Sequence, residues 1–174
     1  MPKMKTRAFL APMLGVLLLF AACNRVTPNT AVAYNDAIVD VQAHVVAHFD
    51  EFVMTADEGD SLGAIAALED ALDSSRVGLK KLEAMKPFDG QTKLLEAAKG
   101  LVGHYIKGLD QDFRQILPVI TSHSATLEQL EHANDVRDAF KHQEDSLFAA
   151  VESAQKEMAE KYKFEFHQQV EEID

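Results

Sequence analysis

From Thr30 to Phe166 the apolar residues return every three or four positions, and no stretch alternates apolar with polar residues as a half-buried strand would. That spacing is the period of a helix with one buried stripe. It predicts four helices. The first, capped by Thr30, carries Tyr34, Ile38, Val41, Val45, His48 and Phe52 on its stripe. Asp57-Glu58-Gly59 stops it, and Asp60 caps a second helix with Ile65, Leu68, Leu72, Ser75, Leu79 and Leu82 until Pro87 ends it. Phe88-Asp89-Gly90 turns the chain into a third helix, from about Gln91 to Ser122, with Leu95, Ala98, Val102, Tyr105, Leu109, Phe113, Ile116 and Ile120. One step near Leu109 is irregular, and Pro118 should kink the last turns, because proline lacks a backbone donor and crowds the preceding turn.

Ser122-His123-Ser124 offers the next break and cap. The fourth helix follows with Leu130, Ala133, Val136, Phe140, Leu147, Val151, Ala154, Met158, Tyr162 and Phe166, and it is the longest. Glu152 with Lys156 and Glu157 with Lys161 have the spacing of exposed ion pairs that support a helix. Four such helices with short connections pack most simply as an all-α, antiparallel up-and-down four-helix bundle. Helices of about 26 to 32 residues make it roughly 40 to 48 Å long, with the surplus of the fourth projecting past the end.

The chain ahead of this pattern has a different character. Residues 1–22 open with Lys3, Lys5 and Arg7, continue as an apolar run from Phe9 to Phe20, and close on Ala21-Ala22 before Cys23, the single cysteine. The run is short for a transmembrane helix, and two small residues leave room for a peptidase. Phe20-Ala21-Ala22-Cys23 resembles the lipobox of bacterial lipoproteins, departing from it at Phe20, where an aliphatic residue is usual. The resemblance implies a signal peptide over 1–22, removed on maturation, and a thioether-linked diacylglycerol on Cys23 with a further amide-linked acyl chain. The competing expectation is a plain secretory signal cut after Ala22. Asn24 in place of aspartate implies, by resemblance to Gram-negative sorting, the outer membrane. Residues 23–29 form a polar tether and 30–174 the bundle domain, so the domain is expected within about 25 Å of the bilayer.

Loss of the signal removes three basic residues from 17, leaving 14 against 28 acidic residues, a formal charge of −14. Nucleic acid and anionic headgroups are therefore not expected as direct partners. With its one thiol carrying lipid, the chain cannot build redox pairs, zinc knuckles, a covalent haem site or a cysteine nucleophile.

Helical bundles also hold ions and cofactors, so the seven histidines matter. His44 and His48 lie one turn apart on the same helix side, a spacing that can present two imidazoles to one ion. Yet no Glu-x-x-His of the di-iron type occurs, and a histidine on a seam is ordinarily a hydrogen-bonded core or boundary residue. A haem held by His48 and Met158 is the other cofactor arrangement available, and no cofactor or metal is expected. Gly59-Asp60-Ser61-Leu62-Gly63 has the letters of a hydrolase nucleophile elbow without the strand such an elbow needs, so Ser61 belongs to a turn. The acidic stretches 57–60 and 171–174 lack the alternating oxygens of a calcium loop. Glu69, Asp70 and Asp73 most simply populate the outward face of the second helix.

Tyr34-Asn35-Asp36-Ala37-Ile38-Val39 and Gln42 resemble the opening of a family of bacterial surface lipoproteins from spirochaetes and Bacteroidetes. The resemblance covers about the first helix and implies an all-helical lipoprotein that is not an enzyme. Asn35 and Asp36 are placed to cap a helix or bridge to a neighbouring one. The expectation is a membrane-anchored cell-envelope lipoprotein acting through protein contacts, with an exposed aromatic sought near Tyr162 to Val170. The alternative is a ligand or metal/haem carrier using the bundle interior near His48.

Overall fold

The computed structural model describes residues 26–166, so Cys23, the signal sequence and residues 171–174 lie outside the described residues. The chain is an all-helical bundle. Helices α1 (Pro28–Asp57) and α2 (Ser61–Ala84) are followed by a third rod in three parts: α3 (Lys93–Lys107), a π-helical segment (Gly108–Phe113) and α4 (Arg114–Ile120). The fourth rod is α5 (Leu127–Tyr162). Among the described residues there is no strand, and no helix is long and apolar enough to cross a membrane.

Helix α1 begins earlier than expected. Thr27, not Thr30, is its cap, and the two form a reciprocal capping box with Pro28 at the first helical position, where its missing donor costs nothing. The expected tether thus loses its last residues to the helix. Asp60 does cap α2, its carboxylate accepting from the Gly63 amide at 3.0 Å. The Asp89-Gly90 turn has positive φ at both residues, 50° and 73°, as in a type I′ turn, and the Gln91 amide closes it on the Phe88 carbonyl at 2.8 Å. Thr126 and Gln129 form a second capping box that starts α5, two residues beyond the expected Ser122-His123-Ser124 cap.

Contacts between rods fix their directions. Asn35 bonds Gln155 while Asp57 pairs with Arg137, so numbers rise along α1 as they fall along α5. Glu69 with Arg114 and Ser61 with Thr121 do the same for the second and third rods. Lys93 with Glu157 and Tyr105 with Glu144 repeat it for the third and fourth. The ion pairs are exposed and contribute little each, so the core holds the bundle.

The seams were legible in outline and shifted in detail. On α1 the buried positions are Ala31, Asn35, Ile38, Val41, Gln42, Val45, Phe49, Phe52 and Ala56. Phe49 takes the central place expected for His48, which is only half-buried. On α2, Ala64, Ala71 and Gly78 lie on the buried face, small residues that let α1 come close, while Leu79 packs half-buried against the core and Ile65 is exposed. Leu130 is exposed and Leu147 half-buried, whereas Glu144 is buried. Phe166 follows the helix rather than belonging to it, and Glu157 pairs with Lys93 instead of Lys161.

The irregular step near Leu109 is the π segment. A π turn accommodates one extra residue, so Leu109 and Phe113 both reach the core although their spacing from the α3 seam does not fit an α-helix. Gly108 opens this segment against the Phe140 ring, which occupies the space a β-carbon would need. Gly108→Ala should therefore destabilise the protein by about 1–3 kcal/mol through overpacking. In an ordinary helix interior the same change stabilises by about 1 kcal/mol, so the sign seen in urea denaturation decides. Pro118 sits within α4, which runs only as far as Ile120.

Candidate functional site

At the level of His48 the bundle interior is aromatic. Phe49 stacks on Phe140 with centroids 5.1 Å apart and meets Tyr105 and Phe113 edge-on at 5.1 and 5.3 Å. His104 also stacks on Phe140, at 4.2 Å, and holds the Phe140 carbonyl through Nε2 at 3.1 Å. These rings fill the region in which a carrier would keep its cargo. His48 instead faces the groove between α1 and α2, with Nδ1 2.7 Å from Oδ2 of Asp70. His44 is exposed and sits edge-on to it, centroids 4.7 Å apart. Met158 is level with the start of α1, about 24 Å along the axis from His48 at 1.5 Å per residue, so the pair considered for haem does not converge.

Asp70 does lie on the outward face of α2, as expected, but it is not idle there. The carboxylates of Asp70 and Glu51 and the His48 imidazole have donor atoms all within 4.8 Å of one another. The pairing across helices was invisible in the sequence, because it depends on how α1 and α2 slide against each other.

Ser61 is the first residue of α2, with no strand before it, and its hydroxyl bonds Thr121 Oγ1 at 2.7 Å. It borders a groove of about 360 Å³ between α2 and α4, lined by Ile65, Leu68, Leu117 and Pro118 with the Glu69–Arg114 pair on its wall. The hydrogen bond from Arg114 holds the Glu69 carboxyl below its ordinary range. An elbow serine needs a free hydroxyl beside a base, and here the hydroxyl ties two helix ends together.

A polar cluster was missed. Glu144 is buried and accepts the Tyr105 hydroxyl proton, with Lys141 Nζ 3.4 Å from its other oxygen. Its signal was present: Glu144 stands four residues after Phe140 and three before Leu147, on the seam itself. Asn35 makes a buried polar contact, accepting from Gln155 at 3.1 Å, and so bridges α1 to α5. Tyr34 packs on Phe88 at 5.3 Å, and burial pushes its phenol above the usual range.

The surface is uneven. Of the exposed large apolar side chains among the described residues, Met54, Leu62, Ile65, Leu127 and Leu130 gather at the end of the bundle where α1 stops, α2 starts and α5 starts. Leu62 is 82% and Leu127 73% exposed. The surplus length of α5 falls at this end, since residues 127–132 are all exposed, whereas Tyr162 is packed on Phe88 and bonded to Asp89. Phe164 and Phe166, where an exposed aromatic was sought, are both half-buried.

No family model, curated protein or solved structure matches the chain.

Proposed function

We propose that this is a bacterial cell-envelope lipoprotein, anchored by acylated Cys23 at the outer membrane, whose antiparallel up-and-down four-helix bundle acts by contact with another envelope protein. The observation that carries this is the position of the apolar end. Helix α1 starts five residues after Cys23 and runs for 30 residues, about 45 Å, before reaching the neighbourhood of Met54, Leu62 and Leu127. An anchor at one end and exposed leucines at the other suit a module that reaches across the envelope to a partner. Scattered apolar residues are ordinary on a protein surface, but several gathered at one helix-bundle tip favour an interface.

Two further features support the reading. The residues behind the resemblance to surface lipoproteins include Asn35, Ile38 and Gln42, all buried, so the likeness concerns how α1 packs rather than any chemistry. The engaged Ser61 hydroxyl removes the main support for an enzyme.

Crosslinking of intact envelopes tests the proposal. The native chain is expected to capture a defined envelope protein, and a Leu62→Asp, Leu127→Asp double variant is expected to lose the capture. Both side chains are more than 70% exposed, so the unfolding free energy should stay within about 0.5 kcal/mol per site of the native value. Capture that survives the double substitution would place the interface elsewhere and overturn the proposal.

A further inference from the structure

His44, His48 and Glu51 follow one another at i, i+4 and i+7 on α1, and Asp70 faces them from α2. Ligand atoms bound to one ion at about 2.0–2.2 Å lie roughly 3–3.5 Å apart. The His48, Glu51 and Asp70 donors, within 4.8 Å of one another, are one small side-chain rotation from that arrangement, and both carboxylates are exposed enough to make it. A second observation sets this group apart from an ordinary acidic patch. His48 Nδ1 is fully shielded from solvent, and although Asp70 is 2.7 Å away it is not aligned for a hydrogen bond to Asp70 or to any other group among the described residues. A cation shared by the imidazole and the two carboxylates would give this shielded nitrogen the partner its present alignment lacks and would offset the repulsion between the carboxylates.

We propose that the α1–α2 face binds one zinc-class divalent cation through His48 Nδ1 and the carboxylates of Glu51 and Asp70. One imidazole with two carboxylates suits zinc and its neighbours, whereas calcium and magnesium take oxygen ligands throughout. His44, exposed one turn earlier with its ring against His48, is within reach as a fourth ligand. Glu51 and Asp70 are exposed, so an ion can reach the carboxylates without opening of the core. The site stands independently of the lipid anchor and of any partner.

The experiment uses the untagged full chain, purified in detergent and stripped with chelator, titrated with zinc by calorimetry and with cobalt by visible absorption. One equivalent should bind per chain. Asp70→Asn, at a side chain 65% exposed, should weaken binding at least about tenfold without altering the circular dichroism, and His48→Ala should abolish it. His132→Ala, exposed on α5, should leave binding unchanged. Absence of stoichiometric zinc, zinc affinity unchanged in Asp70→Asn, or zinc binding that persists in His48→Ala overturns the site while leaving the lipoprotein proposal untouched.

Discussion

Phe49→Ala should cost about 3–5 kcal/mol, a large share of the 5–15 kcal/mol that stabilises a domain of this kind. Phe49 is 7% exposed and touches the rings of Phe52, Tyr105, Phe113 and Phe140, so its removal opens a cavity bordered by three of the four rods. Neighbouring rings held by the π segment and by His104 have little freedom to collapse into it. For a chain of this length each kcal/mol lowers the melting temperature by about 2–4 °C, giving a drop of at least about 6 °C in a thermal melt. His48→Ala is the internal control. Its side chain is 26% exposed and sits on the α1–α2 groove, so without metal it should cost about 1 kcal/mol or less. A larger loss at His48 than at Phe49 would mean that the register of α1 is wrong.

The second large effect is on location. Cys23→Ser should move the protein from the membrane fraction to the soluble fraction and abolish labelling with a fatty-acid probe. Each buried methylene contributes about 0.8 kcal/mol, and a single myristoyl chain holds only marginally, so the two or three chains of a lipoprotein anchor make the difference between firm attachment and none. Among the described residues no helix is long and apolar enough to cross a bilayer, and a net charge of −11 over the whole sequence repels anionic headgroups. Membrane recovery that is unchanged in Cys23→Ser, with no lipid label on the native protein, would contradict the anchor.

The helices were legible because their evidence is local: the three-and-four spacing, Asp60 as a cap, and Asp89-Gly90 as a turn all act within a few residues. The seam of α1 shows where local evidence stops. Val45 to Phe52 can be bridged by steps of three then four, through His48, or four then three, through Phe49. Periodicity treats the two alike, and the lower cost of burying phenylalanine decides for Phe49. The irregular step at Leu109 was visible too, but the contact of Gly108 with the Phe140 ring was not, because Phe140 lies far along the chain. Glu144 reads from the sequence as a surface carboxylate, because the group that satisfies it on the seam, Tyr105, lies on another helix. The His48–Asp70 approach joins two helices, so it had to wait for their packing. The apolar tip combines residues from α1, α2 and α5 in the same way.

Mass spectrometry of the N-terminal peptide of the native protein tests the central claim most directly. The account predicts a chain that begins at Cys23, with a diacylglyceryl group on its sulfur and an acyl chain on its amino group. A chain that begins at Met1, or a mature chain whose Cys23 carries a free thiol, would contradict it.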